Sequence, residues 1–408
     1  MDNFTFVGKL REVKGNDNFK GYEEKKFESG WTNRTLRFNV DSGTNSYLVQ
    51  VKGGCYTDDK GNPKSDNVVN TMAKKNKDDK KAESVKIPWN DRKKDSWIEK
   101  VPAYKKCIID NELPDARKTL YAIRNALAEG KALTDEQFAF LGVTDLNAAK
   151  EAESKRARHE YIAEWDFAEI LNKFISKVGK DDMFRVSGYI EISYDVENSE
   201  AYKNYVVTKV ERMPADVEPT GYVIIDTYFT KDAFDATDWN EVIPDGEVKP
   251  SELSGVGIVN AKQSYYLSNK KYGIKGTFYT DLVFEVPATM AGFALKFKLN
   301  AKFDKDVAWK HIPLKLKVVD GAPVVNLSYQ MLTEEQKMDV DCGLYTLAEL
   351  QASMSNIYGE KVRKYVFCGC VPGKGVEDTA YCDDEMVEAH PNTEEAEEIS
   401  KNDDDIFA

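Results

Sequence analysis

Residues 167–213, FAEILNKFISKVGKDDMFRVSGYIEISYDVENSEAYKNYVVTKVERM, change their hydrophobic period partway along. Phe167, Ile170, Leu171, Phe174, Ile175 and Val178 recur at helical spacing, which gives a short helix one apolar face. Gly179 stops that helix, and Lys173 and Lys177 lie near the negative end of its dipole. Beyond Gly179 the period falls to two. Phe184, Val186, Gly188, Ile190 and Ile192 alternate with Arg185, Ser187, Tyr189 and Glu191, as in a strand with one buried face. A polar turn over 195–199 leads to a second strand over 205–210. Helix, strand, long hairpin and strand form the closing half of a small five-stranded Greek-key barrel, which requires three strands upstream.

Those strands are legible near the start of the chain. Residues 3–13, NFTFVGKLREV, read as a strand with Gly8 at a bend or a close approach. Residues 14–30 are polar and read as a long loop. Over 31–41, Leu36, Phe38 and Val40 face one side and Thr35, Arg37 and Asn39 the other. A turn at 42–45 leads to a third strand over 47–52, ended by Gly53 and Gly54.

At 408 residues the chain has room for two or three domains, and 41% hydrophobic with 31% charged residues describes a soluble globular protein. No apolar run reaches spanning length, and MDNFTFVGKL has neither a basic start nor an apolar core. A cytoplasmic protein with no membrane partner is expected. Six cysteines without regular spacing do not make a disulfide scaffold at this length. The net charge of −13 is unevenly spread: residues 383–408 hold eleven acids and one lysine, which leaves −3 for the remainder. A nearly neutral body readmits nucleic acid as a partner.

FVGKL, RTLRFNV, YLVQVKGG, FAEILNKFISKVGKDDMFRVSGYI and YVVTKVE, in that order, resemble the strand pattern of bacterial single-stranded DNA-binding proteins. The likeness covers residues 3–54 and 167–213, and residues 55–166 have no counterpart in the family pattern. It implies an OB-fold with a helix between its third and fourth strands. It also implies binding of single-stranded DNA without sequence preference, in replication or recombination. The terminal EEAEEISKNDDDIFA is similar to the acidic tip with which that family docks on replication and repair proteins, and phage versions often end in acids and an aromatic. By that likeness Asp403, Asp404, Asp405, Ile406 and Phe407 form a partner-binding tip. No proline separates Ile406 from Phe407, and Ala408 follows, so the partner's identity is open.

The insertion at 55–166 begins hydrophilic. Residues 74–106 hold twelve Lys or Arg against six Asp or Glu, with Trp89 and Trp97 interleaved. Such a run is either a solvated loop or an electrostatic arm with two stacking residues. Helical patterns follow at 115–130, with Leu120, Ile123 and Leu127 on one face, then at 134–142 and at 146–165. These helices are expected to cap the barrel. Two prolines mark a linker at 214–220. Strands are then expected from Gly221, Gly276, Phe293, Ile312 and Val324, with a helix over 344–358 and a strand over 362–371. FAEI at Phe167 and LAEL at Leu347 are each followed by eight residues, a glycine, a charged run and an apolar strand, which suggests a diverged second OB-fold. The fold class expected is therefore mainly β with a helical insertion, divided as 1–213, linker 214–220, 221–382 and acidic tail 383–408.

On an OB-fold, nucleic acid lies on the outer face of strands two and three and on the loops joining strands one to two and four to five. There the chain offers Trp31, Arg34, Arg37 and Lys52, with Lys20, Lys25 and Lys26 in the first loop and Tyr194, Tyr202 and Lys203 in the last hairpin. Each alone reads as an ordinary exposed strand residue; together they supply the cations and flat rings that single strands require. Cys368, Cys370, Cys382 and His390 fit no common zinc spacing, and buried thiols explain the first two better, so no metal or other cofactor is expected. GxxxxGK, HExxH and GxSxG are absent and only His159, His311 and His390 are present, so no enzyme is expected. The rival reading is a β-rich virion structural or assembly protein that binds no nucleic acid.

Overall fold

The computed structural model describes residues 2–379 except 14, 16–18, 77–78, 157, 196–199, 231, 243–254, 270–273, 293–308, 323–326, 354–359 and 376. The strand expected over 293–303, the tail with Asp403, Asp404, Asp405, Ile406 and Phe407, and the metal candidates Cys382 and His390 lie outside the described residues.

In chain order the strands are β1 (Asn3–Glu12), β2 (Tyr22–Lys26), β3 (Trp31–Ser42), β4 (Asn45–Tyr56), β5 (Val68–Ala73), β6 (Glu83–Pro88), β7 (Cys107–Asp110) and β8 (His159–Tyr161). They continue with β9 (Met183–Asp195), β10 (Glu200–Met213), β11 (Thr220–Phe229), β12 (Val256–Asn269), β13 (Ile274–Pro287), β14 (Trp309–Gly321), β15 (Val362–Cys370) and β16 (Glu377–Thr379). The helices used below are α1 (Asp95–Ile98), α2 (Pro114–Ala128), α3 (Asp135–Leu141), α4 (Leu146–Arg156) and α5 (Glu164–Ile175). Among the described residues, fourteen strands join one mixed sheet, and β5 with β6 forms a separate two-stranded ribbon. The protein is mainly β.

Alternating apolar residues bring β1, β3, β4, β9 and β10 together. β1 pairs with β3, β3 with β4, β10 with β9 and β9 with β1, all antiparallel, while β4 meets β10 in parallel. The pairings return to their starting strand. Inside this circuit Phe6, Leu36, Phe38, Val49 and Val210 pack with Phe167, Ala168, Leu171 and Ile175 of α5. Ile170, placed by spacing on the apolar face of that helix, is 38% exposed instead.

A second circuit has the same order. β11 pairs with β12, β12 with β13, β15 with β14 and β14 with β11, all antiparallel, and β13 meets β15 in parallel. The strand over 362–370 therefore holds the fifth position of this circuit, whereas its expected counterpart, β9, holds the fourth of the first. The FAEI and LAEL echo is thus out of step by one element. The strand expected from Val324 is absent over 327–332, where Tyr329–Met331 is a 3-10 turn.

The two circuits share a seam. Asn3–Val7 of β1 pairs with Thr220–Ile224 of β11 on one side and with β9 on the other. At Gly8 the partner changes, and Lys9–Glu12 pairs with β3. A Cβ at Gly8 would lie 2.2 Å from the carbonyl oxygen of Asp41, so only glycine lets β3 take over from β11 there. One hydrophobic core runs from Phe4 and Phe6 through Tyr47 to Val223, Leu316 and Phe367, and the Tyr47 hydroxyl donates to the Val318 carbonyl at 2.9 Å. Asp2 bridges the halves: its carboxylate accepts from the Asp226 amide at 3.0 Å and the Gln263 side chain at 2.6 Å. Burial pushes its pKa up.

The first loop is not structureless, because β2 pairs along β3. Nor is the insertion a solvated loop: Cys55, Val69, Ala73, Ile87, Trp89, Val101 and Trp165 form a satellite core. The long charged helix expected over 146–165 stops at Arg156, and β8 intervenes before α5. α2, α3 and α4 bury Leu120, Ile123, Leu141 and Ala149 among themselves rather than capping the circuit. Arg117 ties them to β10 by an ion pair with Glu211 at 2.7 Å.

Gly8→Ala drives a methyl group against backbone that cannot yield. A loss of about 1–3 kcal/mol is expected in urea unfolding, the usual cost of overpacking, and an unchanged midpoint would remove Gly8 from the seam.

Candidate nucleic-acid interface

Residues directly paired across antiparallel strands project to the same face. In β2–β3–β4, Trp31 pairs with Tyr56, Asn33 with both Lys25 and Gly54, Thr35 with Lys52, and Arg37 with Gln50. These form the outer face, while Leu36, Phe38 and Val40 turn inward with Val51, Val49 and Tyr47.

The outer face carries an aromatic platform. The Trp31 indole nitrogen donates to Asn33 Oδ1 at 2.6 Å, and its ring meets Tyr56 edge-on with centroids 5.1 Å apart. Tyr56 is 47% exposed. A Cβ at Gly54 would lie 2.4 Å from the indole, and a Cβ at Gly53 would lie 2.3 Å from the Trp165 amide at the start of α5. The two glycines expected to end the strand instead lie within it and serve opposite faces. One seats the platform and the other seats the helix.

Around the platform lie Lys52, exposed on β4, and Lys25, whose ammonium is 5.5 Å from the Phe27 ring centre. Lys20 is exposed, and its carbonyl accepts from Arg37 at 3.1 Å. Arg37 also pairs with Glu23 at 2.7 Å. Lys26 has the opposite parity and donates to the Asp58 carbonyl at 2.8 Å.

Four residues expected on this surface are buried or partly buried instead. Arg34 points inward: it ion-pairs with Glu24 at 2.8 Å and Glu169 at 3.0 Å and lies 3.9 Å from the Trp165 ring centre. Trp89 is buried in the satellite core beneath Arg92, at 3.9 Å, and Trp97 packs half-buried at its edge beside Lys100. Tyr194 is buried against Tyr265, with ring centroids 6.4 Å apart.

At its Arg37 end the face opens into a cleft of about 680 Å³ between the two circuits, lined in part by Arg37, Tyr202, Lys203, Arg363, Lys364 and Tyr365. Acids also line it. Lys364 pairs with Glu285 at 2.8 Å and Arg363 with Asp320 at 3.0 Å, so much of its positive charge is balanced. Tyr202 is 46% exposed and its hydroxyl donates to Glu200. Lys203 is half-buried, with its ammonium 5.4 Å from the Tyr365 ring centre. Desolvation pushes its pKa down to about 8, against the opposing pull of Asp2 and Asp281.

Sequence reading missed Tyr56, which lies two residues past the point where the strand was ended. It also missed Arg363, Lys364 and Tyr365, which reach the cleft only through long-range pairing. On β15, Cys368 is half-buried and Cys370 exposed, which corrects the expectation of two buried thiols. No group of three or more His, Cys, Asp or Glu side chains placed to hold a metal occurs among the described residues. None of the described helices is long and apolar enough to cross a membrane.

No family model matches the chain, and no curated protein matches it in sequence. Among solved structures, similarity is found to a deletion mutant of the single-stranded DNA binding protein from Thermus aquaticus, over 78% of this chain and 87% of that chain, with a TM-score of 0.27 and 8% identity.

Arg34→Ala leaves Glu24 and Glu169 without their guanidinium and is expected to cost about 2 kcal/mol of stability. Lys52→Glu should leave the melting temperature unchanged and weaken polyanion binding; the reverse pattern would invert the assignment of the two faces. Lys203 binds its proton less tightly folded than unfolded, so its contribution to stability rises with pH from about 8 towards the unfolded lysine value of about 10.4. The buried thiols of Cys55 and Cys107, pushed up, act in the opposite direction. The readout is therefore the difference in unfolding free energy between wild type and Lys203→Met, which should grow in favour of wild type from pH 7 to pH 9.5. A difference independent of pH would show an ordinary lysine.

Proposed function

We propose that this chain binds single-stranded DNA without sequence preference, as an OB-fold protein whose second half repeats the same strand order. The carrying observation is the outer face of β3 and β4, which gathers Trp31, Tyr56, Lys52 and Arg37 on the second and third strands of a five-strand circuit. Flat rings stack bases of any sequence, and cations beside them release counterions from the backbone. The parallel contact of β4 with β10, and the place of α5 after β4 and before β9 in the chain, support the OB-fold reading. Protection of single strands in phage DNA replication or recombination, and recruitment of partner proteins through the acidic tip, extend this proposal and rest on the sequence resemblance. No catalytic step is part of it.

Trp89, Trp165, Trp239 and Trp309 are buried and Trp97 packs half-buried against the satellite core, so quenching by a base stacked on the platform should come mainly from Trp31. Titration with oligo-dT is expected to quench part of the tryptophan fluorescence, with affinity falling steeply as salt is raised. Trp31→Phe should lose most of that quenching. Absence of quenching and of polyanion binding at low salt would leave the virion structural reading in its place.

A further inference from the structure

We propose that the β5–β6 ribbon is a second nucleic-acid contact, adding phosphate-binding lysines beside the Trp31–Tyr56 platform. The inference rests on the reading of that platform as a base-stacking site. It narrows the sequence expectation of an electrostatic arm with two stacking residues: the lysines of the ribbon are kept, and the buried Trp89 and half-buried Trp97 are not.

The ribbon is amphipathic across its width. Val69 pairs with Ile87, and these side chains, with Ala73 and Trp89, are buried in the satellite core. On the opposite face Val68 pairs with Pro88 and Asn70 with Lys86, and all four are exposed. One face is anchored, and the other presents a lysine and an amide to solvent. Lys75, Lys80 and Lys81, towards the turn, are exposed as well. Their local acids are fewer: Lys75 lies 3.9 Å from Glu83, and Asp79 caps the turn by accepting from the Asn76 amide at 2.8 Å.

The base of the ribbon is locked to the platform by one side chain. Asn67, 8% exposed, accepts from the Tyr56 amide at 2.9 Å and donates to the Tyr56 carbonyl at 2.8 Å. It also donates to the Lys64 carbonyl at 2.8 Å, and its own carbonyl accepts from the Trp89 amide at 2.9 Å. Both backbone groups of the platform tyrosine are thus held by the residue just before β5. The start of the ribbon therefore adjoins the strand end that carries Tyr56, and its lysines lie further along it. Exposed lysines, which act as mobile point charges, suit phosphates of any sequence.

The test is a salt titration of oligo-dT binding by the full chain, comparing wild type with the combined Lys75→Ala, Lys80→Ala, Lys81→Ala and Lys86→Ala variant. Each lost phosphate contact lowers the slope of log affinity against log salt by about 0.7, so the variant's slope should be shallower by about 2 to 3. Fluorescence quenching at saturation should match wild type, because the platform is untouched. A slope within about 0.5 of wild type, with binding retained, overturns the ribbon contact and leaves the platform reading standing. No binding by wild type overturns both. A second variant, Lys80→Glu with Lys81→Glu, guards against a fault in the first: its slope should also fall, and a wild-type slope in a protein with wild-type melting counts against the proposal.

Discussion

The structure depends on one strand having three partners. Asn3–Val7 of β1 is hydrogen-bonded on one side to β9 and on the other to β11, and past Gly8 the second side passes to β3. Over Asn3–Val7 the strand has a partner on both sides, so that stretch has no open edge. Its side chains, Phe4 and Phe6, then stand where both circuits contribute to one core. Without β1 the first circuit is open between β3 and β9, and the second loses its attachment through β11. The hydrogen bonds of Asp2 to Asp226 and Gln263 reinforce the same junction.

What was legible in sequence was whatever repeats locally. β1, β3, β9 and α5 announce themselves by period, and their bounds shift by only a few residues. β12 did not, although it runs from Val256 to Asn269. Its inward row is Val259, Ala261, Gln263 and Tyr265, so a small residue and an amide break the apolar alternation. Gln263 is tolerated there because Asp2, remote in sequence, receives its hydrogen bond. β2, YEEKK, has no apolar pattern and exists because β3 offers it an edge. The LAEL echo misled because a helix followed by a glycine and a strand is a local motif, whereas the position of a strand in a circuit is set by distant pairing.

The candidate site divides the same way. Parity alone separates Trp31 and Arg37 from Arg34, since residue 34 shares its face with Leu36, Phe38 and Val40. Tyr194 and Trp89 were not recoverable in this manner. One is buried by β12 and the other by a satellite core whose members span residues 55–165. Aromatic side chains in polar runs look available until the surface that covers them is known.

The seam also sets the order in which the protein can come together. Asn3–Val7 and Thr220–Ile224 lie roughly two hundred residues apart in sequence, and nothing nearer replaces that pairing. On a ribosome, β3 and β4 can form their hairpin early, while one side of β1 waits for more than half of the chain. During that interval Phe4 and Phe6 stand beside an unfilled strand position, where a chaperone or a neighbouring nascent chain could pair in its stead. The satellite core and the helical cluster lie wholly within that loop, so they can mature before the seam closes. Long-range pairings of this kind raise contact order, which slows folding relative to helix formation.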